Sequence, residues 1–275
     1  MKKFALLFAC TAVALMTGCE GDSPSGTGGD MPVVTDVTIN WEASGGVDIV
    51  IGWSAVTDAE GYKVWFSETS GGTLEEVGDV AGTTYTHTAD CAGYYYVTAY
   101  NGDDSSSGYS ASTEDTRTMP NIVSGPFTIY DNYAPAELPS GFIFGMSDGE
   151  TGQASSSGFV QDIYAYDDWQ QVNRASLYSG NDGTFGDGHE TWMFGLGDES
   201  YNNAGAAPDG SYNWWLNGEV WDGDVIFCEL FDGFFAKMYI NDLSGPVGGS
   251  TNGDQIVFTY EIQPHEGIRL FTTNS

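Results

Sequence analysis

Residues 94–101 read Tyr-Tyr-Tyr-Val-Thr-Ala-Tyr-Asn, and six of these eight residues are aromatic or β-branched. Such side chains favour strands, because they pack well on a pleated, half-buried surface. No other stretch of the chain predicts a strand as strongly. Upstream, residues 47–53 read Val-Asp-Ile-Val-Ile-Gly-Trp, and this alternation places Val47, Ile49, Ile51 and Trp53 on one face. Together the two segments indicate a sheet with one buried face.

The remainder of the chain repeats this pattern of short alternating runs separated by Gly, Asn and Asp clusters. No segment has a convincing helical period, so the sequence predicts an all-β protein. We divide it into a first unit, residues 33–117, and a second unit, residues 118–275. In the second unit the clearest predicted strands are residues 141–145, 162–166, 225–230, 234–240 and 256–263, with a hairpin turn at Asp232-Gly233.

Several spaced motifs in the first unit resemble a fibronectin type III domain. They are Trp53, Gly61-Tyr62-Lys63-Val64, Thr84-Tyr85-Thr86 and Tyr95-x-Val97-x-Ala99-x-Asn101. The resemblance implies a seven-stranded sandwich of the immunoglobulin type, which acts as a spacer or binding module. In that family a tyrosine fixes the corner between the fifth and sixth strands, and it would fall near Gly93 here. The corner at residues 89–93 must therefore be held in another way.

The second unit is expected to be a β-sandwich or a jelly-roll-like domain. Its ending carries Asp232-Gly233, Phe235-Ala236-Lys237-Met238, Phe258-x-Tyr260-x-x-Gln263-Pro264 and Gly267-x-Arg269-x-Phe271. These motifs resemble the endings of bacterial surface lipoproteins, including the HmuY-like haem-binding group. The resemblance favours a β-rich surface domain and only weakly indicates haem binding.

The amino terminus has the pattern of a bacterial lipoprotein signal peptide over residues 1–18. Lys2 and Lys3 precede an apolar run at residues 4–16, which is shorter than the ~20 residues that span a bilayer. Met16-Thr17-Gly18-Cys19 then resembles the lipobox, so the resemblance implies cleavage before Cys19 and lipid attachment to it. Glu20 after the cysteine favours the outer membrane in that family. Residues 19–32 are rich in Gly, Ser, Pro and Asp, which predicts a flexible tether.

The charge of the chain restricts its partners. Cleavage before Cys19 removes two lysines and no acidic residue, so five basic and 39 acidic residues give the mature chain a net charge of −34. Such a chain repels nucleic acid and anionic membrane surfaces. Its abundant aromatic residues argue against disorder. Solubility at a cell surface, a saline habitat and diffuse cation binding all remain explanations of the acidity.

The mature chain has two cysteines besides Cys19, at positions 91 and 228. Export would permit a disulfide between them. Two separate buried thiols are an equally good interpretation, because the sequence does not measure their separation.

Four tryptophans form the main candidate ligand platform: Trp192, Trp214, Trp215 and Trp221, accompanied by Tyr201 and Tyr212. Aromatic rings with polar edges stack on sugars and other planar ligands. A hydrophobic core with its lid is the alternative interpretation.

A second candidate site is the Gly/Asp-rich loop at residues 180–188, together with Glu190 just after it. Asp182, Asp187 and Glu190, with Asn181, offer the hard oxygen ligands that calcium prefers, although their spacing does not fit an EF-hand. A solvated turn is the alternative. We expect no other cofactor.

The search for catalytic motifs predicts that the protein is not an enzyme. Gly145-Met146-Ser147-Asp148-Gly149 fits G-x-S-x-G, but a Gly/Ser-rich stretch follows where a nucleophile elbow needs a helix. The three histidines, at positions 87, 189 and 265, match no haem-ligating motif. We therefore expect an exported, lipid-anchored binding or structural module with a protein or glycan partner. A carbohydrate-binding accessory protein is the main alternative, and haem or metal capture is a lesser one.

Overall fold

The computed structural model describes residues 31–273, except residues 103, 115, 117–118, 121–125, 133, 136, 157, 167–173, 186, 198–202 and 244–254. This part of the chain forms 18 β-strands and one short 3-10 helix at Gly183–Phe185. The all-β prediction is therefore confirmed. Within the described ranges no helix is long and apolar enough to cross a membrane. The predicted signal peptide and Cys19 lie outside the described residues.

Seven strands make up the described part of the first unit. They are β1 (Thr38–Ile39), β2 (Asp48–Gly52), β3 (Gly61–Ser67), β4 (Glu75–Val80), β5 (Thr84–Thr88), β6 (Tyr94–Asn101) and β7 (Asp104–Ser105). One antiparallel sheet has the order β1-β2-β5, and the other has the order β4-β3-β6-β7. Three strands packed on four form an immunoglobulin-type sandwich, so this unit is fibronectin type III-like.

The core of the first unit follows the alternation in the sequence. Tyr95, Val97 and Ala99 of β6 are fully buried, and Ile49 and Ile51 of β2 are fully buried in the same hydrophobic cluster. Adjacent residues on each strand point to the other face. The stretch at residues 94–101 is thus a central strand, paired along its length with β3 and at its end with β7.

Eleven strands make up the described part of the second unit. They are β8 (Met119–Pro120), β9 (Phe127–Tyr130), β10 (Gly141–Ile143), β11 (Glu150–Gly152), β12 (Ile163–Tyr166), β13 (Arg174–Ser179), β14 (Trp192–Gly195), β15 (Asn217–Trp221), β16 (Val225–Glu229), β17 (Phe235–Asp242) and β18 (Gln255–Ile262). A five-stranded sheet has the order β11-β10-β12-β13-β15. A six-stranded sheet has the order β14-β16-β17-β18-β8, with β9 also paired to β18.

The two sheets of the second unit pack on one another as a β-sandwich. Their shared core joins Phe142 and Leu177 of one sheet with Met238 and Phe258 of the other, all fully buried. The turn between β16 and β17 contains Gly233 with a φ of 84°, a conformation that glycine adopts without strain. This confirms the predicted hairpin.

The carboxyl-terminal segment, residues 266–273 (the tail), leaves the second unit and packs on the first. Ile268 and Leu270 are at most 1% exposed and belong to the core cluster of the first unit. The Arg269 N–H donates to Gly46 O at 2.8 Å, and the Gly46 N–H donates to Gly267 O at 2.8 Å. Phe271 instead packs on the outer face of the six-stranded sheet. The tail therefore packs against both units, although the division at residue 117 assigns it to the second unit alone.

The tail also holds the corner between β5 and β6. The Ala92 N–H donates to Phe271 O at 3.1 Å, and the Thr273 hydroxyl donates to Glu68 Oε2 at 2.7 Å. A Cβ at Gly93 would lie 2.4 Å from Ser67 O, so this position has no room for a tyrosine. Instead, the buried Thr116 hydroxyl bonds the Gly93 N–H and carbonyl at 2.7 and 2.8 Å. These contacts take the place of the missing tyrosine corner.

A buried ion pair lies under the tail on the outer face of the six-stranded sheet. Lys237 Nζ lies 2.6 Å from Glu261 Oε1, and the two side chains are 0% and 2% exposed. Lys237 also donates to the carbonyls of Ala204 and Thr272, at 3.1 and 2.9 Å. The Thr272 hydroxyl donates to Glu261 Oε2 at 2.7 Å. The pair thus ties the tail to β17 and β18.

Both cysteines of the described chain are free and buried. Cys91 lies in the core cluster of the first unit and Cys228 in that of the second. The sequence leaves open a disulfide or two separate thiols, and in the structure the two cysteines are separate thiols.

Candidate functional site

The loop at residues 180–190 is held by hydrogen bonds within the protein. Asp182 accepts the Gly183 N–H at 2.9 Å and the Asn217 side-chain amide at 2.5 Å. Glu190 accepts the Asn181 amide at 3.1 Å and the Trp192 indole N–H at 3.0 Å. These two carboxylates therefore order the loop and the start of β14.

The predicted calcium ligands do not converge. Asp187 is exposed, while Asp182 and Glu190 bond to different partners. Among the residues that the structure describes, no group of three or more His, Cys, Asp or Glu side chains could hold a metal ion. The geometry therefore gives the predicted calcium site no support.

The four candidate tryptophans lie in different surroundings. Trp192 is 38% exposed on edge strand β14, and Trp221 is 44% exposed on β15 of the other sheet. Met193 and Val220, their neighbours, both point into the core between the sheets, so the two tryptophans lie on opposite outer faces of the sandwich. Trp215 is half-buried against that core. The structure therefore does not bring the four tryptophans together.

A smaller aromatic set does lie on one face of the second unit. It consists of Trp192, Phe194, Tyr212 and Trp214 (the aromatic surface), on the outer face of the six-stranded sheet. The Phe194 ring lies 5.7 Å from that of Tyr212 and 5.9 Å from that of Trp214. Trp192 is two residues from Phe194 on the same strand and so shares its face. Tyr201, the other predicted member, lies outside the described residues.

Hydrogen bonds hold this aromatic surface in place. Asp209 accepts the Ser211 hydroxyl and, at 2.9 Å, the Ser211 N–H; these bonds hold the pKa of its carboxyl below the usual value. The Trp214 indole N–H donates to the Asp209 carbonyl at 3.2 Å. Tyr212 stays 57% exposed above this turn. Rings held in this way present a preformed apolar face with polar edges.

Sequence reasoning missed a histidine–carboxylate pair beside the loop. His189 Nδ1 lies 2.7 Å from Asp162 Oδ1, and Asp162 Oδ2 accepts the Phe144 N–H at 2.7 Å. Burial raises the pKa of Asp162, although bonds from His189 and Phe144 oppose the shift. The Phe231 ring, 58% exposed, stacks 3.7 Å from the imidazole. The partners are far apart in sequence, so no local motif could have revealed them.

The other two histidines lie in surroundings of their own. His87 Nδ1 lies 3.0 Å from the Tyr95 hydroxyl within the first unit. The His265 ring stacks on Trp41 at 3.4 Å, where the second unit meets the first. Each of the three imidazoles thus contacts a different aromatic residue and none contacts another histidine among the described residues.

The motif at Gly145–Gly149 lacks the setting of a nucleophile elbow. Ser147 is exposed in a bend between β10 and β11, and the described residues contain no α-helix behind it. The Gly145 N–H and carbonyl instead bond the Tyr260 hydroxyl, at 3.1 and 2.7 Å. The segment serves the packing of the second unit.

The chain matches no protein-family model, and a search of curated proteins gives no match. Among solved structures, a fibronectin type III-like protein from Clostridium thermocellum is 25% identical, with a TM-score of 0.28, and the match covers 31% of this chain and 91% of that one. A fibronectin type III domain of the human KIAA0970 protein is 16% identical, with a TM-score of 0.22, over 36% of this chain and 82% of that one. Titin kinase with its flanking domains is 9% identical, with a TM-score of 0.30, over 84% of this chain and 38% of that one. All three TM-scores lie below 0.5, so these likenesses carry no conclusion about what the chain binds or does.

Proposed function

We propose that the protein is an exported lipoprotein that binds a partner at the cell surface without catalysing a reaction. In this proposal Cys19 carries the lipid, residues 19–32 form the tether, and the first unit is the spacer. The second unit carries the binding site. The proposal rests chiefly on the aromatic surface, because it combines exposed rings with fixed polar neighbours on one face of a sheet.

The tail supports the spacer role of the first unit. Two domains joined by one linker move relative to each other unless a sizeable apolar interface joins them. Here Ile268 and Leu270 enter the core of the first unit, and Trp41 stacks on His265. An anchored first unit would therefore hold the aromatic surface at a fixed distance and orientation.

A glycan is the second candidate ligand, and the setting of Trp192 favours it. Glu190 holds the Trp192 indole N–H at 3.0 Å, which fixes the ring edge and leaves part of the ring exposed. Sugar rings present C–H groups that pack on such a face and hydroxyls that bond nearby carboxylates and amides. A protein partner would use the same rings as apolar anchors.

Replacing both Trp192 and Tyr212 by alanine is expected to weaken glycan binding at least about tenfold. The reason is that aromatic side chains which become buried on binding contribute most of the binding energy. The mature protein and variants would be compared on a glycan array. Trp221→Ala is the matched control, because Trp221 is 44% exposed on the opposite sheet. Absence of any glycan signal from the folded protein, or equal loss in the control, would overturn the glycan candidate.

Cys19→Ser is expected to abolish incorporation of radioactive palmitate and to release the protein from the membrane fraction, because stable anchoring needs acyl chains on that residue. Cys10→Ser is the control, since Cys10 lies inside the apolar run and should not alter labelling. A labelled, membrane-bound Cys19→Ser protein would contradict the anchoring proposal.

A further inference from the structure

A cleft of about 570 Å³ opens at the end of the first unit, beside the corner that the tail holds. It lies between the end of β3, the start of β4, and β5. Its wall includes Phe66, Glu68, Glu75, His87, Asp90 and Cys91 (the carboxylate cleft). Small-molecule sites typically enclose roughly 300–1,000 Å³, so the cleft has the size of a ligand site.

The corner beside the cleft is closely packed. A Cβ at Gly93 would lie 2.4 Å from Ser67 O and 2.6 Å from the Phe66 ring, so these two residues, which also line the cleft, fill the space next to Gly93. The tail closes the outer side of the corner through Phe271 and Thr273. The cleft therefore has a fixed corner beside it, and its lining continues over Glu75 and Val77 of β4.

The cleft is lined by negative charges, and the other described residues of its wall do not balance them. Three carboxylates, from Glu68, Glu75 and Asp90, line it, and no lysine or arginine is among the described residues that do. His87 is the one basic group among the described lining residues, and burial lowers its pKa, which favours the neutral imidazole at neutral pH. Burial raises the pKa of Cys91 to about 11, so its thiol also stays uncharged.

Apolar and aromatic side chains line another part of the cleft. The Phe66 ring lies 5.5 Å from the His87 ring and 5.1 Å from the Tyr95 ring, and Val77 completes the wall. The Tyr95 hydroxyl holds His87 Nδ1 at 3.0 Å, so the imidazole has a fixed orientation. A ligand that fills this space must be apolar on one side and positively charged on the other.

We infer that the carboxylate cleft binds a small organic cation, an ammonium or guanidinium compound with an apolar ring or chain. The apolar part packs on Phe66, Val77 and His87. The cationic group lies between Glu75 and Asp90 at the mouth, where charge-assisted hydrogen bonds fix its position. This site lies in the first unit and does not depend on the ligand of the aromatic surface.

The test uses 2-phenylethylammonium as the probe, titrated into the mature protein at low ionic strength and followed by calorimetry and amide NMR shifts. We expect saturable binding with shifts at Val77, His87 and Asp90. The neutral analogue 2-phenylethanol, which has the same ring, should bind at least about fivefold more weakly, because it lacks the charge that the carboxylates attract. Equal binding of the alcohol would overturn the inference.

Charge variants separate this site from the general acidity of the chain. Glu75→Gln with Asp90→Asn should weaken probe binding at least about fivefold, because both charges face the cation. Asp79→Asn with Asp104→Asn removes the same charge from exposed residues outside the cleft and should change affinity less than about twofold. Equal losses of probe affinity in the two double variants would show that the probe is attracted by the overall negative charge of the chain, and would overturn the proposed site. These exposed substitutions should leave the fold intact, which the unchanged remainder of the NMR spectrum would verify.

Discussion

Leu270→Ala is expected to lower the free energy of unfolding by about 2–5 kcal/mol, the usual cost of emptying a buried leucine site. Leu270 is fully buried in the core of the first unit, although it lies at the end of the second. Its neighbours Arg269 and Phe271 bond to Gly46 and Ala92, so the backbone has little freedom to close the cavity. Urea unfolding followed by fluorescence and circular dichroism would measure the loss.

The part of the protein that Leu270→Ala destabilises shows whether the tail supports the first unit. Hydrogen exchange should show faster opening of β2 and β6 in the first unit, because the tail completes their core and holds their corner. Val160→Ala, at a side chain that is 40% exposed, is the aliphatic control and should change stability by less than about 0.5 kcal/mol. Unchanged protection of β2 and β6 in Leu270→Ala would contradict the proposed role of the tail.

Most of the fold could be predicted because strand alternation is a local property. The pattern of residues 94–101 and 47–53 identified β6, β2 and their buried faces, and Asp232-Gly233 identified the hairpin. The same reasoning showed that the corner at Gly93 lacked its usual support. It could not show what replaced that support, because the partner, Phe271, lies far along the chain. Local patterns state which face of a strand is apolar but not which sheet covers it.

The candidate site was predicted less well, for a related reason. Alternation along β14 and β15 sets the faces of Trp192 and Trp221 within their own sheets, but only the packing of the sheets shows that these faces are opposite. Trp214 and Trp215 precede β15, where no alternation rule applies. The pairing of Asp162 with His189 depends on how the loop folds back on β12. Each of these features arises from contacts between distant residues.

Lys237→Met is expected to destabilise the protein by about 3–5 kcal/mol, because it leaves the carboxylate of Glu261 buried without its cation. Glu261 is 1% exposed, and it also accepts the Thr272 hydroxyl at 2.7 Å, a neutral donor that does not balance its charge. The same change removes the bonds from Lys237 to the carbonyls of Ala204 and Thr272, so the tail also loses an attachment. Chemical denaturation would measure the difference.

A double-variant cycle distinguishes this cause from simple loss of packing. Glu261→Met alone should also cost about 3–5 kcal/mol, because it leaves the buried Lys237 ammonium without a counter-charge. The variant with both methionines should recover most of the stability that either single variant loses. The reason is that apolar side chains of similar volume need no counter-charge in a site that excludes water. Additive losses in the double variant would mean that the pair does not act as a unit. Lys63→Met is the control, since its ion pair with Glu76 has both side chains more than a third exposed and should change stability far less than the buried pair does.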